Sequence, residues 1–279
     1  MFAWVLVAPV VVVMAVFVLY PIIRTISNSF VASGHISFAN YHFALTDPAF
    51  GSAVRNTLVW GAVAMLVTPT VGLVGAALVE DGPIKRKGLF RFCFFVPYLL
   101  SLAAVGVVCI QMLDPTFGLV HALLSIVGLG GVKVNWLGNP TDVFWIAVLL
   151  FIWNQAPFCF LVASSAIRQI DRDIYDAALL DGATGVSRFR YITVPLLRVV
   201  MRSLRFIMLI TGLTPFAVLF VLVTSNSPTQ IVPTLIYNYG LEGNNQGEAG
   251  AVGAMFAAFL ACLVGGFIVL TTRRRNNAR

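Results

Sequence analysis

Residues 176–195 read DAALLDGATGVSRFRYITVP, a polar and arginine-bearing stretch between two long apolar segments. Asp171 lies shortly before it and suits the N-cap of a helix that we predict over Ile174–Leu180. Gly182 follows that helix where a positive φ is often needed, and Pro195 is expected to end a second short arm before the next apolar segment. The stretch therefore predicts a helix–turn–helix elbow between two membrane spans.

The composition around this elbow indicates a membrane protein. Hydrophobic residues make up 59% of the chain and charged residues only 10%, whereas soluble domains carry roughly 25% charged residues. Six segments reach the approximately 20 apolar residues that a membrane helix needs. We therefore predict an all-α polytopic membrane protein with a single transmembrane domain over residues 1–279, and its spans are Phe2–Ile23, Thr57–Val79, Leu89–Leu113, Val143–Ala163, Phe206–Thr224 and Ala249–Thr272.

Lysine and arginine are distributed unequally between the two sides of these spans. Of the 18 basic residues, 15 lie in the second connector and the few residues after it, in the fourth connector and in the C-terminal tail. Cytoplasmic loops carry such an excess, so both termini and the elbow are expected to face the cytoplasm. The net charge of +7 is accounted for by these juxtamembrane residues, and nucleic acid is not an expected partner.

The elbow resembles the "EAA" cytoplasmic loop of bacterial ABC importers. That loop has an acid followed by two alanines, a glycine six positions after the acid, and an isoleucine and a proline at its far end. The matching residues here are Asp176, Ala177, Ala178, Gly182, Ile192 and Pro195, with aspartate in place of the usual glutamate.

A second resemblance lies far from the first, in the first outer connector. Asn40-Tyr41, Asp47-Pro48-x-Phe50 and Asn56-Thr57 resemble the stretch before the second span in permeases of the carbohydrate-uptake, maltose-transporter type. Together, the two matches identify the chain as similar to the permease subunit of a binding-protein-dependent ABC importer. This resemblance implies a type I permease-like fold with six transmembrane helices and a cytoplasmic coupling helix.

In the resembled family, the loop over residues 164–198 docks onto a subunit that hydrolyses ATP. Small residues allow close approach of a partner, acids accept hydrogen bonds, and aromatic anchors carry interface energy. The docking residues implied here are Tyr175, Asp176, Ala177, Ala178, Asp181, Gly182, Phe189, Ile192 and Pro195. The alternative is an amphipathic helix that lies on the lipid surface.

The resemblance also implies the partners and the location. They are two ABC ATPase subunits, a second permease subunit that we expect to be a different chain, an extracytoplasmic solute-binding protein and the lipids of the bacterial inner membrane. The chain lacks the GxxxxGK[ST] phosphate loop, so ATP and Mg are expected on the partner subunits and no cofactor is expected here. Neither a catalytic site nor a metal site is expected, because the histidines are not at ligand spacing with acids or cysteines.

Polar residues within apolar spans are candidates for the solute path. A tryptophan face and two adjacent amides suit a sugar, which presents C–H faces and hydroxyls, although hydrogen bonding between helices is the simpler alternative. The candidates are Trp153, Asn154, Gln155, Tyr98, Ser101, Thr211 and Thr214. Pro97, Pro157 and Pro215 are expected to bend or break their helices.

We therefore expect a permease that imports a sugar or sugar-like solute by alternating access. The alternatives are an ABC permease for another solute, such as glycerol phosphate, a polyamine or a metal chelate, and a secondary carrier. No span contains a carboxylate well away from its ends, which disfavours the carrier because ion-coupled carriers usually place such groups in the bilayer. A membrane-embedded enzyme would need a His/Asp/Ser constellation at one membrane face, and the sequence offers none.

Overall fold

The chain is described by a computed structural model over residues 2–32, 34–82, 84–128, 135–223 and 229–276. Helices dominate this part of the chain, and its strands form one hairpin of two-residue strands. The elements in order are α1 (Phe2–Met14), a π-helical turn (Ala15–Leu19), α2 (Tyr20–Ser29), β1 (Val31–Ala32), β2 (His35–Ile36), α3 (Ala39–Thr46), α4 (Pro48–Glu80), α5 (Lys87–Leu99), α6 (Leu102–Met112), α7 (Leu119–Ile126), α8 (Pro140–Ile167), α9 (Arg172–Leu180), α10 (Gly185–Arg188), a π-helical turn (Phe189–Thr193), α11 (Val194–Leu196), α12 (Arg198–Leu213), α13 (Ala217–Leu222), α14 (Val232–Tyr237), a π-helical turn (Asn238–Glu242) and α15 (Gln246–Asn276).

The membrane-spanning helices confirm the predicted class. Within the described ranges, five helical segments are long and apolar enough to cross a bilayer, and a bent pair brings the number to six if it counts as one span. The second predicted span begins nine residues earlier than expected, since α4 starts at Pro48 and includes part of the outer connector. The first span begins at Phe2 as predicted, and its helical path ends at Ser29, six residues later than expected. Helices α8 and α15 exceed the predicted fourth and sixth spans by three residues at the start and four at the end.

Two of the predicted spans are interrupted. The third span consists of α5 and α6, whose axes are bent by 93°. The helix of the fifth span is interrupted between α12 and α13 at residues 214–216, which include Pro215. Proline removes a backbone donor and clashes with the preceding turn, so both breaks follow the expected positions. The predicted end of the fifth span, Thr224, lies outside the described residues.

The chain divides into two compact units, Met1–Arg55 with Gln230–Arg279 and Asn56–Thr229. In the first unit, α2 and α3 pack on α15, and α14 packs on α15 beside them. The core of this unit is made of small and branched side chains, which are Ala44, Ala53, Val232, Leu235 and Val252. Tyr239 donates a hydrogen bond to Asp47 of the same unit, within the acidic turn that precedes α4.

The second unit holds the elbow and the candidate solute path. Its core lies where α4, α8 and α12 meet, and Gly72 permits a close approach of α4 to α8. A Cβ atom on Gly72 would lie 2.5 Å from Cys159 Cβ, so only glycine fits this crossing. The residues buried there include Leu73, Phe160, Ile167, Leu197 and Met208.

Candidate functional site

The elbow is built by local capping, as the sequence predicted. Asp171 is the N-cap of α9, and its carboxylate accepts a hydrogen bond from the Asp173 N–H at 3.2 Å. At the other end, Gly182 has φ +78° and the Ala183 N–H donates to the Ala178 carbonyl at 2.9 Å. This geometry reverses the chain after one short helix.

The second arm of the elbow differs in detail from the prediction. It begins at Gly185 and continues through a π-helical turn to Leu196, so the helical path runs one residue beyond Pro195. Proline is tolerated in the first turn of a helix, and Pro195 occupies that place in α11. The arm then joins α12 of the fifth span after Leu197.

Tyr175 ties the two arms together instead of facing outward. Its side chain is buried, and its hydroxyl shares a 3.0 Å hydrogen bond with the Thr193 hydroxyl on the returning arm. The Arg188 guanidinium lies 5.3 Å from the centre of the Tyr175 ring, within cation–π range. Burial raises the pKa of the Tyr175 hydroxyl, which therefore stays protonated at neutral pH and available to this bond.

The outward surface of the elbow has a different composition from the predicted one. Asp176, Ala177, Asp181 and Gly182 are exposed as expected, whereas Ala178, Phe189 and Ile192 are half-buried. Phe189 packs against the core at the ends of α4 and α8. The large apolar side chains that the elbow presents include Leu179, Leu180 and Val186, with Leu180 90% exposed. The sequence signal that could have identified these three residues is their position in the DAALL and TGV segments, on either side of the turn.

A buried charge cluster next to the elbow was not singled out from the sequence. Glu80 ends α4 with a side chain only 8% exposed, and both of its oxygens accept hydrogen bonds from Arg91 Nη2 at 2.8 Å. Ser164 of α8 donates a further hydrogen bond to the same carboxylate. The guanidinium of Arg168 lies 4.0 Å away, and the Lys87 ammonium donates to the Glu80 carbonyl at 2.6 Å. This cluster joins α4, α5 and α8 at one end.

The end of α4 and the second arm of the elbow border an open cavity of about 320 Å³. Asp81 and Arg188 supply its charged walls, and Val74, Leu78, Val186 and Phe189 are among its apolar ones. Burial raises the pKa of Asp81, although the positive charge of Arg188 opposes that shift. The elbow is thus connected to the spans through this wall, through Phe189 and through its direct continuity with α8 and α12.

The candidates for the solute path separate into two groups. Asn154 is buried at 3% exposure, and its amide nitrogen donates to the carbonyls of Pro97 at 2.7 Å and Leu100 at 3.1 Å. Gln155 donates to the Asn154 side-chain oxygen at 2.9 Å. These two residues therefore lie against the break in the third span.

The aromatic and hydroxyl candidates beside that break are more open. Tyr98, Ser101 and Trp153 are exposed, and the Tyr98 ring stacks on Phe158 of α8 with centroids 5.8 Å apart. Trp153 also lines a cavity of about 330 Å³ whose other walls are apolar side chains of α6, α7 and α8.

The hydroxyl of Thr211 in α12 donates to the Ile207 carbonyl, and that of Thr214, which directly follows α12, donates to the Ile210 carbonyl. The structure thus brings the candidates of the third and fourth spans together and leaves the two threonines bonded to their own turns. Among the residues that the structure describes, no group of three or more His, Cys, Asp or Glu side chains is placed to hold a metal ion.

A family model described as "Binding-protein-dependent transport system inner membrane component" matches residues 70–279. The lactose transport system permease protein LacF of Rhizobium radiobacter is 32% identical over 203 residues, which cover 70% of this chain and 67% of that protein. The arabinooligosaccharides transport system permease protein AraP of Bacillus subtilis is 31% identical over 257 residues, which cover 88% of this chain and 80% of that one.

Solved structures with the same fold come from bacterial alginate importers. One, a crystal structure of an ABC transporter involved in the import of the acidic polysaccharide alginate, superposes with a TM-score of 0.86 at 24% identity, covering 98% of this chain and 95% of that chain. Another contains the alginate transporter in complex with an alginate pentasaccharide-bound periplasmic protein. It superposes with a TM-score of 0.82 at 24% identity and covers 94% of this chain and 91% of that chain.

Proposed function

This chain belongs to the family of binding-protein-dependent transport system inner membrane components, and we propose that it forms half of the membrane pathway of an ATP-driven importer for a sugar or oligosaccharide. The observation that carries the proposal is its similarity, over 70% and 88% of its length, to permeases named for lactose and arabinooligosaccharide uptake. The chain is a multi-pass component of the inner membrane, and its work is solute movement rather than covalent chemistry.

The loop over residues 164–198, which contains the elbow, couples ATP hydrolysis on a partner subunit to movement of the spans. Leu180 and Val186 supply exposed apolar contacts for a separate ATPase subunit, and Asp176 and Asp181 supply acceptors around them. The hydrogen bond between Tyr175 and Thr193 makes the two arms move as one body. Two such ATPase subunits bind ATP and Mg, and their closure draws this elbow toward its counterpart on a second permease subunit.

The charge cluster transmits that displacement into the bundle. Because Glu80 holds α4, α5 and α8 together at the end nearest the elbow, these helices shift as a group rather than one at a time. The spans then alternate between outward-open and inward-open states. Both termini and the elbow lie on the cytoplasmic side, as the excess of basic residues in the corresponding connectors supports.

The solute path passes the break of the third span. Tyr98 and Trp153 offer aromatic faces to the C–H surface of a sugar, and Ser101 offers a hydroxyl. Gln155, Thr211 and Thr214 add polar groups, and Asn154 supports the wall from behind. An extracytoplasmic solute-binding protein delivers the solute. The solved alginate transporter with a similar fold, which is in complex with an alginate pentasaccharide-bound periplasmic protein, supports this part of the proposal.

Reconstitution tests this proposal. The assembly would be purified through this chain from its native cells, placed in liposomes with ATP inside, and assayed for uptake of radiolabelled di- and oligosaccharides. ATP-dependent saccharide uptake that requires the binding protein is the expected result. Uptake of a glycerol phosphate, a polyamine or a metal chelate, with no saccharide transported, would show that the imported solute is not a sugar. Uptake without an ATPase subunit would refute the ATP-driven mechanism.

A further inference from the structure

The break in the third span places backbone groups inside an apolar segment. α5 ends at Leu99 and α6 begins at Leu102, and their axes are bent by 93°. At such a bend the carbonyls of the last turn lose the partners that a continuous helix would give them. Within a bilayer, exposed backbone groups of this kind must be satisfied by neighbouring protein groups.

One side chain of the fourth span meets this requirement. The Asn154 amide nitrogen lies 2.7 Å from the Pro97 carbonyl and 3.1 Å from the Leu100 carbonyl. A side-chain amide has two N–H donors, so these two acceptors use both. The remaining oxygen accepts from Gln155 Nε2 at 2.9 Å. With 3% exposure and both donors engaged, Asn154 has no N–H left for a solute.

We propose that Asn154 is a positioning residue that clamps the third span in its bent form through its two hydrogen bonds to the Pro97 and Leu100 carbonyls. The clamp holds α5, which carries Tyr98, at a fixed angle to α6, which begins after Ser101. Its role in transport rests on the proposed function, because the angle sets the wall past which the solute moves. The clamp itself is a property of two helices and is measurable without any solute.

A distance across the break measures the clamp directly. Spin labels at Phe92 and Val107, which are 67% and 50% exposed, lie on opposite sides of it. In one straight helix, a rise of about 1.5 Å per residue would separate these positions by about 22 Å, whereas the 93° bend brings them to about 16 Å. The labels would be placed in the assembled complex after replacement of the exposed Cys93 and Cys262 by serine.

Asn154→Leu keeps the size of the side chain and removes both donors. We expect its distance distribution to move from about 16 Å toward about 22 Å, or to broaden across that interval. Gln155→Leu is the matched control, because it removes a neighbouring amide and leaves the two carbonyls bonded. Its distribution should stay centred where that of the unsubstituted chain lies. Should Asn154→Leu fail to assemble, the same measurement on Asn154→Ala decides, since alanine has no side-chain donor for the two carbonyls.

An unchanged distribution in an assembled Asn154 variant would overturn the clamp. Transport provides the second readout. Uptake by Asn154→Leu should fall about tenfold, the effect of losing hydrogen bonds to buried acceptors, while ATP hydrolysis by the partner subunits continues. Wild-type uptake by a variant with an altered distance would overturn the role in transport and leave the proposed importer function untouched. A complete absence of ATP-driven uptake in the unsubstituted assembly would instead refute the proposed function.

Discussion

Replacing Glu80 by glutamine removes the charge at the centre of the cluster that joins α4, α5 and α8. The substitution keeps the shape of the side chain, so its effect reports on charge. Arg91 loses a carboxylate that it contacts at 2.8 Å through both oxygens, and Ser164 loses a charged acceptor. Arg168 contributes less, because it lies 4.0 Å away and is about half exposed.

The expected loss of stability follows from the burial of the Glu80 and Arg91 side chains. Hydrogen bonds to charged groups contribute roughly 1.5–3 kcal/mol, and the Glu80 side chain is 8% exposed. The Arg91 side chain is 32% exposed, so water partly replaces the lost contact. We therefore expect Glu80→Gln to lower the free energy of unfolding by about 2 kcal/mol and the melting temperature by about 5 °C.

Tryptophan fluorescence during a thermal scan of the purified assembly would measure this shift. A double-mutant cycle with Arg91→Gln isolates the pair, and the two substitutions together should cost clearly less than the sum of their separate effects. Arg86→Gln is the matched control, because Arg86 is an exposed cation in the connector between α4 and α5. It should leave the melting temperature unchanged. Additivity within about 0.5 kcal/mol would refute the cluster as a link between the helices.

Three further substitutions test the elbow and the core. Gly182→Val places a branched side chain at a backbone position with φ +78°, where the space around the side chain is open. It should strain the turn by about 1–2 kcal/mol and lower uptake while the protein still inserts into the membrane. Normal uptake in vesicles would contradict this. Tyr175→Phe removes the hydroxyl bonded to Thr193, and a loss of about 1 kcal/mol should appear as fewer solutes moved per ATP hydrolysed. Gly72→Ala would bring a Cβ to 2.5 Å from Cys159 Cβ and should cost about 1–3 kcal/mol by overpacking. In the same helix, Gly75→Ala meets its nearest atom at 3.4 Å and should be tolerated in a thermal scan.

Features fixed by neighbouring residues could be predicted from the sequence. The cap at Asp171 and the positive φ at Gly182 depend on only a few adjacent positions. The hydropathy of the spans depends on windows of about 20 residues. Pro97 likewise indicated an interruption in the third span. The bend of 93° could not be anticipated, because proline sets where a helix weakens and packing sets the angle.

Features that depend on distant pairing were missed or differently placed. Glu80 and Ser164 are 84 residues apart, and their contact exists only once α4 and α8 pack. Asn154 reaches carbonyls more than 50 residues before it, so its polarity alone suggested a solute ligand. Tyr175 was assigned to an outward anchor because aromatic residues favour interfaces, yet the returning arm of the elbow covers it. In each case the second partner belongs to another helix and carries no local signal.

Photo-crosslinking from the tip of the elbow tests the central claim most directly. A photoreactive amino acid would replace Leu180, which is 90% exposed, in the intact assembly in native membranes. Phe117, which is 95% exposed in the connector before α7, is the control from the opposite predicted side. We expect a crosslink from position 180 to an ATP-hydrolysing subunit, with a yield that changes when ATP is added, and no such crosslink from position 117. Crosslinks from position 180 to lipid alone, or to a protein outside the cytoplasm, would show that the elbow does not dock on an ATPase subunit.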